Sequence, residues 1–226
     1  PGAAFKQLTT WKGSDASPRW SPDGKTIVFG YKGDLYRVDA AGGTAVPLTL
    51  HEAHDMMPVW SRDGKSIAFT TWNDEQLGSV RVLDLASGKV ACIDTPDADA
   101  VLAALDEAGW SLDLILNTHW HPDHAGGNAK LKERTGAVSI GPAEVERLTP
   151  LDRKVAGGDQ VELGATVFQV IDTGGHTLGH VSYYTADDGV AFVGDTLFAL
   201  GCGRLFEGTA EQMWASLSQL ANLPGE

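Results

Sequence analysis

Thr118-His119-Trp120-His121-Pro122-Asp123-His124 places four metal-competent side chains within six residues, directly after the apolar run Leu114-Ile115-Leu116. Imidazole and carboxylate are the usual ligands of zinc, iron and manganese, and a His-x-His spacing turns two imidazoles to one side of an extended or tightly turned segment. His119 and His121 can therefore serve one ion, while Asp123 and His124 point elsewhere and can serve a second. The glycines of Ala125-Gly126-Gly127-Asn128 let backbone approach the cluster before a helix begins. Thr173-Gly174-Gly175-His176-Thr177-Leu178-Gly179-His180 and Gly194-Asp195-Thr196 bring further candidates, each just past a predicted strand. Three strand ends carrying His119 to His124, His176 and Asp195 are what a two-metal site needs. Cys202 has no His partner in the pattern and reads as a structural loop residue.

The elements that must position these groups are legible. Residues 90–94 read as a strand ending in the carboxylate Asp94, and Asp97 or Asp99 can cap a helix over 98–108 that Gly109 stops. Residues 113–117 form a continuous apolar strand, the pattern of a sheet covered on both faces. The metal-competent cluster sits at its carboxyl end, where open α/β sheets place their ligands. A helix over 127–135, a short strand over 138–140 and a helical turn near 143–148 come next. A hairpin of 160–163 with 165–172 follows, then strands over 181–185 and 190–193.

Residues 1–89 read differently, as an internal repeat of about forty residues. Trp20-Ser21-Pro22-Asp23-Gly24-Lys25 returns as Trp60-Ser61-Arg62-Asp63-Gly64-Lys65, and each unit reads as short strands joined by an Asp-Gly hairpin and a second turn. Such units suit propeller blades. The pattern resembles TolB-like and tricorn-like propeller repeats over about residues 5–90, which implies a scaffold or docking surface. Two blades are too few to close a propeller, so the region is expected to lean on the second half of the chain or to oligomerise. His51 and His54, in the connection between units, are a weaker metal candidate, since lone loop histidines are usually solvated.

Composition bounds the partners. Seventeen Lys plus Arg against 30 Asp plus Glu give a formal net charge of -13, which repels nucleic acid and anionic membrane surfaces. Neither a membrane span nor a signal peptide is visible, and Cys92 and Cys202 offer no disulfide framework, so the expected location is the cytoplasm.

THWHPDHAGGN, GGHTLGHVSYY, VGDTLFALGCGRLFEGT and EQMWASLSQLANLPGE together resemble glyoxalase II, the hydroxyacylglutathione hydrolase branch of the metallo-β-lactamase superfamily, over about residues 80–226. The resemblance implies an α/β fold, an αββα sandwich with a dinuclear centre, here partial and preceded by the two repeat units. The implied domains are 1–89 and 90–226. It implies that His119, His121 and His176 bind one metal, that Asp123 and His124 bind the other, and that Asp195 bridges. Zinc is the first expectation, with iron or manganese as alternatives. Asp123 would orient the nucleophile or take its proton. Asp94 and His180 would stand behind the ligands, and Arg204 and Phe206 would contact a glutathione thioester. A leaving thiolate requires neither a Ser nor a Cys nucleophile. The family's second metal takes one more His from a later Cys-Gly-His-Glu-Tyr element, and no His follows His180, so the second site is expected to be incomplete and turnover weak. The alternatives are another activity of the same fold, such as a lactonase or an iron-dependent persulfide dioxygenase, or a non-catalytic scaffold formed by fusion of two fragments. The seam between the halves falls in VRVLDLASGKVACID, which reads equally as the last strands of a blade or the first hairpin of a sandwich.

Overall fold

The structure is a computed structural model and describes residues 7–224 except 13, 50–53, 62–63, 74–76, 86–87 and 188. His51, the Arg62-Asp63 half of the second Asp-Gly turn and the turn at Ala86-Ser87 lie outside the described residues.

The first repeat unit folds as a four-stranded antiparallel meander of β1 (Asp15–Trp20), β2 (Thr26–Tyr31), β3 (Asp34–Asp39) and β4 (Val46–Pro47). Gly24, at φ 67, makes the turn between its first two strands, a backbone conformation that only glycine adopts without cost. The second unit supplies β5 (His54–Trp60), β6 (Ser66–Asn73) and β7 (Leu77–Asp84), again an antiparallel meander. Its fourth strand is β8 (Val90–Ile93), which pairs antiparallel with β7 on one side and parallel with β9 (Leu112–Leu116) on the other. β10 (Val138–Gly141) and β11 (Arg153–Lys154) continue in parallel, so one seven-stranded mixed sheet runs β11-β10-β9-β8-β7-β6-β5. The two units thus do not form a pair of separate blades. The first is an open antiparallel sheet, and the second merges into the sheet that carries the metal-competent cluster, because β8 has partners on both edges. His54 lies exposed on β5 and, among the described residues, belongs to neither group of side chains that could hold a metal.

α1 (Ala98–Ala108) and α3 (Asn128–Thr135) cover one face of this sheet. The Asp97 carboxylate accepts from the backbone of Asp99 at 2.8 Å, and Gly109 closes α1 in the left-handed conformation, as the sequence pattern requires. Val101, Leu105 and Leu131 pack there on Cys92, Ile115, Ile67 and Phe69, and Val28 and Leu35 of the first meander join the same core. The opposite face presents Ala91, Ile93, Leu116 and Ile140 to a second sheet of β12 (Gln160–Leu163), β13 (Thr166–Asp172), β14 (Val181–Thr185) and β15 (Val190–Phe192). Phe168 and Tyr183 are fully buried between the sheets, and each such side chain contributes about 1.5–3 kcal/mol of hydrophobic stabilisation. α4 (Ala210–Ala221) begins with a reciprocal cap between Thr209 and Gln212, and Ser216 ties it to the Gly174 carbonyl at 2.6 Å. Among the described residues no helix is long and apolar enough to cross a membrane.

Candidate metal centre

β9 is buried because both faces of the sheet are covered, and its end is pinned before the cluster begins. The buried Asn117 donates to the His124 carbonyl at 3.0 Å and exchanges amide hydrogen bonds with Asn128 at the start of α3. Pro122 then opens a four-residue helix, α2 (Pro122–Ala125), capped by His121 in extended conformation. This turn of helix carries Asp123 and His124. Of the extended or tightly turned segment suggested by the sequence, the structure shows a bend at Thr118-His119 that gives way to helix after His121, since Pro at the first helical position favours a helix from that point. Gly127 is needed for a close approach: a Cβ there would sit 2.7 Å from the Thr95 carbonyl. The approach is made to the loop between β8 and α1.

Three ring nitrogens converge. His119 Nε2 lies 3.0 Å from His121 Nδ1, and His176 Nε2 lies 2.9 Å from the same atom. The outward nitrogens are held elsewhere. Thr118 Oγ1 donates to Asp94 Oδ2 at 2.8 Å and is left to accept from His119 Nδ1 at 3.0 Å, while His176 Nδ1 donates to the Arg204 carbonyl at 2.7 Å. Those bonds fix the tautomers so that lone pairs of His119 and His176 face inward, toward His121. Lone pairs of imidazoles cannot satisfy one another, so the donor set fits a cation.

A second grouping adjoins the first. His119, His124 and Asp195 bring ligand atoms within 4.8 Å of one another, as do His119, His121 and His176. Asp195 reaches both: Oδ1 is 3.2 Å from His124 Nε2 and Oδ2 is 3.4 Å from His176 Nε2. Asp123 stands looser, its side chain 65% exposed and its Oδ2 3.8 Å from His124 Nε2.

Asp94 and His180 lie behind these groups. Asp94, at φ 56 just past β8, accepts from the Thr118 backbone at 2.8 Å, from the Thr118 hydroxyl and from His124 Nδ1 at 2.9 Å. His180 Nε2 accepts the Asp195 backbone N–H at 3.2 Å, and its Nδ1 faces Thr173 Oγ1 at 2.9 Å, so neither nitrogen is free for the cluster. Gly194 (φ 46) makes room for both, because a Cβ there would meet Thr118 Oγ1 at 2.5 Å and His180 Nε2 at 2.7 Å.

Electrostatics follow from burial and these partners. Burial and then the neighbouring His124 push the His119 imidazole far below its usual range, and burial and then His176 lower His121. Burial takes His180 down to about 4. Burial also opposes charge on His124, but hydrogen bonds to Asp195 and Asp94 prevail and raise it to about 10. For Asp195 burial acts upward, and the hydrogen bond with His124 together with the charges of His124, His176 and His180 outweighs it and keeps the carboxyl below its ordinary value.

Phe206 stands edge-on to His121 and His176, with ring centroids at 5.1 and 5.2 Å, and Arg204 places its guanidinium 5.6 Å from the Phe206 ring. The Arg204 contribution to the cluster itself is its carbonyl, which no residue-type pattern reveals. Thr118 and Thr173 stand inside the motifs, but their hydrogen bonds to His119 and His180 have no signature in residue type. A Cβ on Gly203 would overlap the Asp195 carbonyl, and the glycine-rich Gly201-Cys202-Gly203 run was the available signal.

Comparison with known proteins gives a consistent relationship. Residues 84–226 match the Metallo-beta-lactamase superfamily. A hydroxyacylglutathione hydrolase of Hyphomonas neptunium is 55% identical over 139 residues, 61% of this chain and 54% of that protein. One of Erythrobacter litoralis is 52% identical over 143 residues, covering 63% and 57%. The chain thus spans little more than half the length of these relatives. ETHE1 from Myxococcus xanthus superposes with a TM-score of 0.57 at 29% identity, over 75% of this chain and 71% of that one.

Proposed function

The chain belongs to the metallo-beta-lactamase superfamily, and from that premise we propose that it is a metal-dependent thioester hydrolase of the hydroxyacylglutathione hydrolase kind. The substrate class is a glutathione thioester such as S-lactoylglutathione, cleaved to lactate and glutathione. The observation that carries this reading is the convergence of His119, His121 and His176 on one point, with Asp195 reaching from His176 to His124.

His119, His121 and His176 would hold one divalent ion, and His124 with Asp123 a second, with Asp195 between them; zinc is the preferred identity. When bound, such ions lower the pKa of water toward neutrality and polarise a carbonyl. The protein's own groups do the rest. Asp94 holds the His124 ring through Nδ1, which presents Nε2 toward Asp195. His180 holds the Asp195 backbone. Asp123, exposed beside His124, orients the attacking water and accepts its proton. Phe206 and Arg204 flank the His121 side, where an aromatic edge and a guanidinium suit the thiol portion and its carboxylates. The thiolate departs without an acid. For the β units of residues 15–84 the role is a scaffold, supported by the way β5, β6 and β7 extend the central sheet.

The test is metal content by elemental analysis, coupled to hydrolysis of a panel of thioesters and lactones by the metal-loaded chain. Thioester cleavage that disappears in His121→Ala and Asp195→Ala supports the reading. A metal-loaded chain that cleaves lactones but no thioester overturns it.

A further inference from the structure

His119 and His121 share one segment, so the chain itself keeps them close. His176 arrives from the loop between β13 and β14, and the ties of that loop decide whether its Nε2 stands 2.9 Å from His121 Nδ1. The loop contains Gly174, Gly175 and Gly179, with Gly175 at φ 143, so its backbone has little shape of its own. Within it, the Thr173 N–H bonds the His180 carbonyl and the Gly175 N–H the Thr177 carbonyl, each at 2.9 Å. The residues just past His176 are held from outside.

Two carboxylates hold them. Glu144 accepts the Thr177 hydroxyl with one oxygen and the Gly179 backbone N–H, at 2.7 Å, with the other. Glu207 accepts the Leu178 N–H at 3.2 Å. Both carboxylates depend on one helical turn, Ala143–Arg147: Glu144 belongs to it, and its Arg147 pairs with Glu207. The turn follows β10, which lies parallel to β9, so it stands beside the strand end from which His119 and His121 emerge. Its Val145 is fully buried, which anchors it. The Arg147 guanidinium also lies 5.0 Å from the Trp120 ring, itself 4.8 Å from the His121 ring between centroids. A turn that supplies none of the candidate ligands thus braces the neighbours of two of them.

We infer that Glu144 is a positioning residue for the metal centre: by holding Thr177 and Gly179 it fixes the loop that aims His176 at His121 and His119. This assignment rests on the metal-binding part of the hydrolase reading, and it gives Glu144 neither coordination nor contact with substrate. A carboxylate suits the task because it offers two oxygens that only accept, one for a hydroxyl and one for a backbone N–H two residues on. The fit is close. A Cβ on Gly179 would sit 2.7 Å from Glu144 Oε2, so glycine is the residue that lets the carboxylate reach the backbone. Thr177 is fully buried, and its hydroxyl therefore needs the partner that Glu144 supplies.

The experiment uses the full chain with cobalt(II) as the probe metal, since its visible absorption reports the ligands around it. Glu144→Ala is expected to weaken binding of the first cobalt equivalent by about tenfold or more in chelator competition, and to change its visible band. Glu144→Gln keeps an oxygen for the Gly179 N–H and presents an amide donor that the Thr177 hydroxyl can turn to accept, so it is expected to bind within about threefold of the parent. Gly179→Ala displaces the carboxylate from the loop side and reproduces the loss, which keeps the test open should Glu144→Ala fail to fold. In the metal-free chain, hydrogen exchange at the Leu178 and Gly179 amides quickens in Glu144→Ala. A merely stabilising role would lower the urea midpoint and leave the cobalt affinity and band of the folded variant as in the parent; that result, or unchanged amide exchange, overturns the inference. A parent chain that takes up no cobalt sinks the metal reading instead, and the exchange rates alone then decide whether Glu144 holds the loop.

Discussion

Asp94→Asn separates the charge that holds the cluster from the shape that holds the fold. Asp94 sits at φ 56, a conformation that asparagine tolerates as well as aspartate, so the backbone past β8 is undisturbed. One amide oxygen still accepts the Thr118 N–H now held at 2.8 Å. The amide nitrogen, however, replaces the oxygen that accepts from both Thr118 Oγ1 and His124 Nδ1. The hydroxyl can turn to accept, but then its proton no longer has Asp94 as partner. His124 Nδ1–H meets a donor, and relief comes only from moving the proton to Nε2, the nitrogen 3.2 Å from Asp195. That tautomer has no lone pair for a cation. A hydrogen bond to a charged group is worth about 1.5–3 kcal/mol, so with one such bond lost at His124 metal affinity should fall by roughly 10- to 100-fold. The assay is competition with a chromophoric chelator at neutral pH, with urea unfolding of the metal-free variant as the control for fold. A folded variant that binds metal within about twofold of the parent would refute the reasoning.

Gly194→Ala should cost about 2–4 kcal/mol in urea unfolding of the metal-free protein, because φ 46 penalises a Cβ that would also press on Thr118 and His180; a loss under about 0.5 kcal/mol would remove the close-packing argument. His121→Ala should abolish retention of the first metal equivalent after dialysis against chelator, while Asp123→Ala, whose carboxylate is 65% exposed, should leave that equivalent bound; elemental analysis distinguishes them, and the opposite order would contradict the proposed ligand sets. Stability of the metal-free protein should peak near pH 6.5, the ordinary histidine value. His180, about 4 when folded, stays neutral while the unfolded chain protonates, so stability falls as pH drops from about 6.5 to about 4, by about 3 kcal/mol, and buried His119 acts in the same direction. His124, about 10 when folded, contributes fully below about 6.5 and loses that contribution as pH rises toward about 10. Urea midpoints across this range provide the measurement, and a monotonic profile would be evidence against the assigned protonation states.

The metal-competent motif was legible because its residue types are rare in such density, and because His176 and Asp195 both follow strand ends that the structure places beside it. α1 was legible to the residue, since Asp97 and Gly109 are local signals. What could not be read is non-local. Arg204 acts on His176 through a carbonyl, which has no signature in side-chain chemistry. The fate of the second repeat unit was also hidden. Its strands alternate as a blade's would, and only the availability of β8 as a partner decides that they join the central sheet. The ambiguity of VRVLDLASGKVACID between two readings was real, because β7 and β8 serve both.

That double service explains how an unrelated-looking β segment can stand next to the metal-competent cluster without disturbing it. The cluster depends on β8 through Asp94, whose backbone N–H bonds the Leu116 carbonyl at 2.8 Å and whose carboxylate holds Thr118 and His124. β8 in turn needs only an antiparallel neighbour, which β7 supplies by pairing Val80–Leu83 with Ile93–Val90. β5 and β6 lie further out in the sheet, and their side chains wall a cleft beside His124 and Asp195. Substitutions on those two strands should therefore leave metal affinity unchanged, while substitutions at Asp94 should lower it. The residues that would hold a metal thus meet the β segment at a single strand, β8.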